Sequence, residues 1–169
     1  MNQAEMAEQI RKAAGMLLQK LKDKGLKIAF AESMTGGLLS GSLTRIPGAS
    51  SVLCGSVVCY DHESKMRLLH VPAELFQSHG AESAEVTSSM AKGLEFLFPD
   101  AGILLAITGS ASAPVNDYRI SSQPGVVFIC FGKVSETFKS IEWNLNGDRN
   151  EVLDQAVLLT FESLISVLD

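Results

Sequence analysis

The sequence predicts a three-layer α/β/α fold with a mixed, mostly parallel sheet, formed by a single domain over residues 1–169. Apolar strand-like runs alternate with amphipathic helix-like runs along most of the chain, which is typical of parallel strands joined by helices. A predicted hairpin then breaks the alternation and adds antiparallel pairing. The 169 residues are 46% hydrophobic and 20% charged, which suits one domain with a substantial core.

The N-terminal half predicts helices and strands separated by glycine or proline. Met6, Ile10 and Leu17 recur at helical spacing, and Gly25 is a suitable helix end. The predicted order is helix 1–24, strand 27–31, helix 38–45, strand 52–60, and short helices 63–70 and 72–79.

The C-terminal half continues the pattern. Ser83 can cap a helix that ends before Pro99, and Asp148 with Glu151 forms a capping-box pattern at the start of the last helix. Between these helices the sequence predicts strand 103–107, a long polar loop 108–124, strand 126–131, and a hairpin into strand 137–143. A loop of that length in a compact domain suggests a binding role.

Charge and cysteine usage exclude several classes of function. The net charge of −5 argues against a broad nucleic-acid interface. No apolar run is long enough to cross a bilayer, and the N-terminus lacks a signal-peptide pattern, so we expect a cytoplasmic protein without a nucleic-acid or membrane partner. Three cysteines in strand-like runs indicate reduced core thiols. Neither they nor the three histidines have a metal-site spacing, so no metal is expected.

The most informative segment is the turn after the first strand, residues 31–37, which reads Ala-Glu-Ser-Met-Thr-Gly-Gly. Turns at the carboxyl ends of strands often bind ligands, and the helix that follows offers backbone N–H groups to an anion. Ser33 is therefore a candidate nucleophile, or part of a phosphate cradle. The alternative is that Ser33 or Thr35 only caps the following helix.

Further candidates follow the other strands. Lys65 comes just after the second strand and Tyr60, and a lysine of lowered pKa could act as base for Ser33. Spacing alone favours the alternative, a solvated residue of a short helix. Thr108 and Gly109 form another hydroxyl-bearing turn, for substrate contact or ordinary turn chemistry. Arg149, in the first turn of the last helix, suggests either an anionic partner or a plain surface arginine.

Taken together, these motifs resemble the CinA C-terminal domain family. The resemblance covers nearly the whole chain in order, through residues 31–37, 43–50, 55–60 with Lys65, 80–83, 90–93, 107–109, 125–129 and 147–149. It implies an enzyme that deamidates nicotinamide mononucleotide to nicotinate mononucleotide and ammonia, in pyridine-nucleotide recycling. It also implies no metal or cofactor, and a homo-oligomer of two or more copies.

The resemblance also implies roles for individual residues. Ser33 matches the nucleophile, Lys65 the base and Tyr60 a supporting hydroxyl. The residues expected to bind substrate lie in the two turns and at the last helix: Glu32, Thr35, Gly36, Gly37, Thr108, Gly109 and Arg149.

The chain departs from the family pattern after Gly109. Residues 110–117 lack the small glycines usual there, and residues 122–124 replace a usual Lys-Pro-Val. A Cβ where glycine is needed can clash with a substrate or forbid a positive φ. The alternative function is therefore a catalytically weak or inactive nucleotide-binding or regulatory paralogue with the same fold.

Overall fold

The computed structural model describes residues 2–113, 122–133 and 138–169. These residues form six α-helices, five strands and a short 3-10 turn at Ala49–Ser51. In chain order the elements are α1 (Gln3–Asp23), β1 (Ile28–Glu32), α2 (Leu38–Thr44), β2 (Leu53–Val58), α3 (His62–Leu69), α4 (Ala73–His79), α5 (Ala84–Leu97), β3 (Ile103–Gly109), β4 (Val126–Gly132), β5 (Lys139–Asn144) and α6 (Arg149–Val167).

The five strands form one sheet in the order β2-β1-β3-β4-β5. Strand β1 pairs in parallel with β2 and β3, whereas β4 pairs antiparallel with both β3 and β5. Four strands therefore run in one direction and β4 runs against them. The predicted mixed, mostly parallel sheet is confirmed.

Two separate cores cover the two faces of the sheet. Because successive residues of a strand face opposite sides, Ile28 and Phe30 pack into a core with α1, α2 and α6, while Ala29 and Ala31 pack against α3 and α5. Both cores contain fully buried side chains, among them Leu17 in the core with α1, α2 and α6, and Leu94 in the core with α3 and α5. This is the predicted three-layer arrangement.

Among the differences from the predicted bounds, those at the ends of β1 and β3 affect the site. Strand β1 includes Glu32, which pairs with Val58 and Ile107. Strand β3 includes Thr108 and Gly109, which were expected in the loop; they pair antiparallel with β4. These residues lie in strands because they pair with neighbouring strands that are distant in the sequence. No local sequence pattern predicts that pairing.

Some predictions lie outside the described residues. They concern residues 114–117 of the departure from the family pattern, much of the predicted loop 108–124, and the predicted strand start at Thr137. The described part of β5 begins at Lys139.

The predicted helix starts agree well with the observed caps. The Ser83 hydroxyl accepts the backbone N–H of Val86 at the start of α5. Asp148 and Glu151 form the predicted capping box of α6. The start of α5 lies beside the end of β3, because Thr87 contacts Thr108, and Arg149 at the start of α6 contacts Tyr60 after β2.

The described residues show neither a metal cluster nor a membrane span. In residues 2–113, 122–133 and 138–169, no three His, Cys, Asp or Glu side chains are placed to hold a metal ion. Over the same ranges, no helix is long and apolar enough to cross a bilayer. All three cysteines are free thiols: Cys130 is buried in β4, Cys59 is buried just after β2, and Cys54 is half-buried.

The crossing of α3 and α5 depends on Gly93. A Cβ at this position would lie 2.2 Å from the backbone carbonyl oxygen of Leu69, which cannot rotate away. We expect Gly93→Ala to lower the free energy of unfolding by about 1–3 kcal/mol. Urea unfolding measures this, and wild-type stability of the variant would contradict it. Gly15→Ala is the matched control, because its Cβ meets nothing within 4 Å; it should gain about 0.5–1 kcal/mol.

Candidate active site

The polar residues singled out in the sequence converge at one edge of the sheet. Ser33 follows β1, Tyr60 and Lys65 follow β2, and Thr108 lies near the end of β3. Arg149, the first residue of α6, reaches the same edge and contacts the Tyr60 hydroxyl. Ligands of open α/β sheets bind at this carboxyl edge, so we identify it as the candidate site.

The turn after β1 is organised around the carboxylate of Glu32, which is fully buried. Its two oxygens accept six hydrogen bonds, at 2.8–3.1 Å, three on each oxygen. The donors are the hydroxyls of Thr35, Ser40 and Ser56 and the backbone N–H groups of Gly37, Leu39 and Ser40. Glu32, predicted to bind substrate, thus serves as the internal anion at the N-terminus of α2.

The sequence left two expectations for this turn, and both need correction. Helix α2 has no side-chain cap from Ser33 or Thr35, because Gly37 is its N-cap and Glu32 takes the free N–H groups. For the same reason, the start of α2 is not open to an external anion. Among the described residues, the N–H groups of Met34 and Thr35 have no acceptor, so they remain available as donors.

The two glycines of the turn adopt conformations that favour glycine. Gly36 has φ of 58° and Gly37 has φ of 103°. Gly36 donates its N–H to the Ser33 carbonyl and remains exposed, while Gly37 is half-buried. Thr35 is buried and donates to Glu32. These residues shape the turn that presents Ser33, and only the glycines are accessible.

Ser33 lies between the two parallel neighbours of β1. Its N–H donates to the carbonyl of Ile107 in β3, and the preceding carbonyl, of Glu32, accepts from Cys59 just after β2. The Ser33 backbone is therefore fixed from both sides, and its side chain is 8% exposed. A nucleophile needs such a fixed position to be presented to a substrate.

Lys65 is buried, at 2% exposure, although a solvated helix position was an open alternative. Its amine donates to the carbonyl oxygen of Tyr60 at 3.1 Å. Burial lowers the pKa of Lys65, and the charges of Cys59, Glu82 and Asp61 partly oppose that shift. The charge of Lys65 also acts on the Cys59 thiol, and the Cys59 N–H donates to the carbonyl of Glu32, the residue before Ser33.

Burial has the opposite effect on the neighbouring thiol. It raises the pKa of Cys59 to about 11, because the thiolate would be desolvated. Cys59 therefore stays protonated at neutral pH. Its buried thiol is an inert part of the core beside Lys65.

Thr108 is fully buried and belongs to a chain of hydroxyls. The Thr87 hydroxyl donates to the carbonyl of Ser83 at 2.6 Å, and its oxygen lies 2.6 Å from the Thr108 hydroxyl. Since a hydroxyl has a single proton to donate, Thr108 must donate to Thr87. The Thr108 oxygen is left with lone pairs only, so it can accept a hydrogen bond from a ligand but cannot donate one.

Gly109 allows β3 to approach the turn closely. It has φ of 151°, and a Cβ there would lie 2.5 Å from the Val126 carbonyl oxygen and 2.7 Å from the Met34 sulfur. Only glycine fits this contact without a shift of the backbone. Gly109, predicted to bind substrate, therefore fixes the spacing between the two turns.

Tyr60 and Arg149 meet at the mouth of the site. The Arg149 guanidinium donates to the Tyr60 hydroxyl at 2.9 Å and to the Ser112 hydroxyl at 3.1 Å. Tyr60 is 59% exposed. Its predicted support of Lys65 takes a different form, since the backbone carbonyl contacts the amine while the hydroxyl contacts Arg149.

Comparisons of the sequence and of the structure with known proteins point to the same family. Residues 10–168 match the family model described as the CinA C-terminal domain. The chain belongs to this family. A competence-damage inducible protein of Bacillus mycoides (strain KBAB4) is 34% identical over 152 residues, which are 90% of this chain and 36% of that protein. The chain therefore spans about a third of the length of the curated relatives it matches.

Solved structures of the CinA superfamily have the same fold. The competence or damage-inducible protein of Enterobacter asburiae superimposes with a TM-score of 0.86 at 28% identity, covering 95% of this chain and 98% of that one. The protein CihA of Agrobacterium tumefaciens gives 0.85 at 27% identity, covering 95% and 96%. The family and fold expected from the sequence motifs are both confirmed.

Three residues at the site were not assigned roles from the sequence. Thr87 contacts Thr108, but the two residues are too far apart in the sequence for any periodic pattern to link them. Asp61 lies near Lys65, and its only local signal is its position as N-cap of α3. Ser112 lies in the predicted loop 108–124, and its contact with Arg149 joins two segments that are distant in the sequence.

The six hydrogen bonds on Glu32 make its carboxylate irreplaceable by an amide. In Glu32→Gln, either orientation of the amide points an NH₂ group at a backbone N–H of α2 or of the turn. We expect a loss of about 2–4 kcal/mol in the free energy of unfolding, measured by urea unfolding. Glu142→Gln, at an exposed position of β5, is the control and should change stability by less than about 0.5 kcal/mol. Equal effects of the two changes would contradict the assignment.

Proposed function

We propose that this CinA-family chain is an amidohydrolase that converts nicotinamide mononucleotide to nicotinate mononucleotide and ammonia through a Ser33–Lys65 pair. The observation that carries the proposal is the buried Lys65 amine of lowered pKa, which follows β2, the strand that pairs with β1 and so with the strand before the fixed Ser33 turn. A serine hydroxyl needs a base that is neutral near the working pH. The amine is the group at this edge that best meets that requirement.

The proposed reaction has two stages. In the first, the neutral Lys65 amine takes the Ser33 hydroxyl proton as the oxygen attacks the carboxamide carbon. Lys65 then returns the proton to the leaving nitrogen, and ammonia departs to leave an ester on Ser33. In the second stage a water molecule, deprotonated by Lys65, attacks the ester, and the proton returns to Ser33 as the acid is released.

Two neighbouring groups support this chemistry. The N–H groups of Met34 and Thr35, which lack acceptors among the described residues, are the donors we assign to the oxyanion. One such donor contributes about 3 kcal/mol to lowering the barrier. The Thr108 oxygen, which can only accept, suits the carboxamide NH₂ and would orient the carbonyl toward those donors.

The substrate phosphate is assigned to Arg149, whose guanidinium lies at the mouth of the site. The Tyr60 carbonyl holds the Lys65 amine, while its hydroxyl contacts that guanidinium. A small-molecule pyridine nucleotide as substrate and a homo-oligomeric state both remain expectations from the family resemblance.

We expect Ser33→Ala to reduce ammonia release from nicotinamide mononucleotide by several orders of magnitude, and Lys65→Met to give a similar loss. Coupled detection of ammonia measures both, with circular dichroism as a check on folding. Lys65→Met should be no less stable than wild type, because it removes a buried ammonium. A near-wild-type rate in either variant would remove that residue from the mechanism.

The same assay separates the amidase from the nucleotide-binding alternative. If the folded wild-type protein releases no ammonia, titration with nicotinamide mononucleotide followed by thermal unfolding will detect a binder as a rise in Tm. A protein that neither reacts nor gains stability would exclude both functions for this nucleotide.

The pKa of Lys65 also gives a pH prediction. Because that pKa lies below its ordinary value of 10.5, kcat/KM should rise with pH to a plateau, with a midpoint below 10.5. Asp61 raises the pKa of Lys65. We therefore expect Asp61→Asn to move the midpoint to lower pH, while asparagine still caps α3.

The control for this pH profile is Glu63→Gln. Glu63 is another acidic residue in the first turn of α3, but it pairs with Arg67 and is not among the groups acting on Lys65. Its profile should match wild type. A midpoint that stays fixed in Asp61→Asn would assign the titrating base to another residue.

A further inference from the structure

The Arg149 guanidinium joins three segments that are distant in sequence. Arg149 begins α6, Tyr60 follows β2, and Ser112 follows β3. One terminal nitrogen, Nη2, donates to the Tyr60 hydroxyl at 2.9 Å, and the other, Nη1, donates to the Ser112 hydroxyl at 3.1 Å. Two acceptors on different nitrogens fix the plane of the guanidinium as well as its position.

Both acceptors are neutral, so the charge of Arg149 is not compensated by them. Within the described ranges, Arg149 forms no ion pair with a carboxylate. A guanidinium also has more N–H donors than these two contacts use. The side chain is thus a positioned cation with free donors, which is what a phosphate or carboxylate group requires.

We propose that Ser112 and the hydroxyl of Tyr60 are positioning residues that preorganise Arg149 for a phosphate monoester on the ligand, and so set the preference for phosphorylated over unphosphorylated ligands. An exposed arginine without such contacts would lose rotamer freedom on binding an anion. In this chain the two hydroxyls have already restricted the side chain. The identity of the ligand rests on the proposed function, whereas the positioning of Arg149 does not.

The Ser112 hydroxyl acts on binding rather than on the chemical step. Ser112 contacts Arg149 and not Ser33 or Lys65, and the Tyr60 group that holds Lys65 is its backbone carbonyl. Removing either hydroxyl therefore leaves the contact of the Lys65 amine intact. For Ser112→Ala, the effect should appear in Kd and KM for phosphorylated ligands, with kcat unchanged.

The test is isothermal titration of the full chain with ribose 5-phosphate and, separately, with ribose. We expect Ser112→Ala to weaken the binding of ribose 5-phosphate by about three- to tenfold, the range expected for one hydrogen bond. Tyr60→Phe, which keeps the backbone carbonyl, should give a similar loss. Ser112→Thr, which keeps a hydroxyl, should restore most of the affinity, and ribose binding should not change in any variant.

A double-mutant cycle tests whether Ser112 acts through Arg149. In an Arg149→Met background, Ser112→Ala should cause no further loss of affinity for ribose 5-phosphate. Ser51→Ala is the matched control, because the Ser51 hydroxyl only contacts the Gly48 carbonyl before β2, at the opposite end of the strand from Tyr60. It should bind like wild type.

Several results would overturn the proposal. They are wild-type affinity in Ser112→Ala, equal losses for ribose 5-phosphate and ribose, additive losses in the cycle, and no binding of ribose 5-phosphate by the wild type. Failure of the proposed function is distinct from these. In that case the wild type releases no ammonia from nicotinamide mononucleotide, while the phosphate-dependent effect of Ser112 persists.

Discussion

The structure of the candidate site depends on the burial of one carboxylate, that of Glu32. Its six hydrogen bonds join the end of β1, the start of α2 and the neighbouring strand β2. A buried charge is tolerated only when it is so completely paired. This requirement determines the path of the turn, including the two glycines of positive φ, and thereby fixes where Ser33 is held.

Glu32 and Lys65 are both buried charged groups, but their surroundings differ. The carboxylate is surrounded by donors, whereas the Lys65 amine donates to a backbone carbonyl, that of Tyr60, at 3.1 Å. Burial without full compensation lowers the pKa of the amine and makes its neutral form accessible. One buried charge thus holds the framework of the site, and the other is the group that we propose exchanges a proton.

The remaining polar residues of the edge act through partners on other elements. Thr108 is oriented by Thr87 of α5, and Arg149 of α6 is held by hydroxyls after β2 and β3. The site is therefore assembled by the three-layer packing, and its geometry is only as precise as the contacts between these layers. The family membership of residues 10–168 accounts for this shared scaffold.

The sequence by itself determined the order of helices and strands, the fold class, the family, and the residue types that gather at the site. It did so because periodicity, caps and glycine turns are local signals that the chain carries in short segments. Only the tertiary structure decided that Lys65 is buried, that Glu32 occupies the N-terminus of α2, and that Arg149 is held by Ser112. Burial and long-range hydrogen bonds depend on which segments come into contact in the folded chain. Local sequence patterns do not specify those contacts.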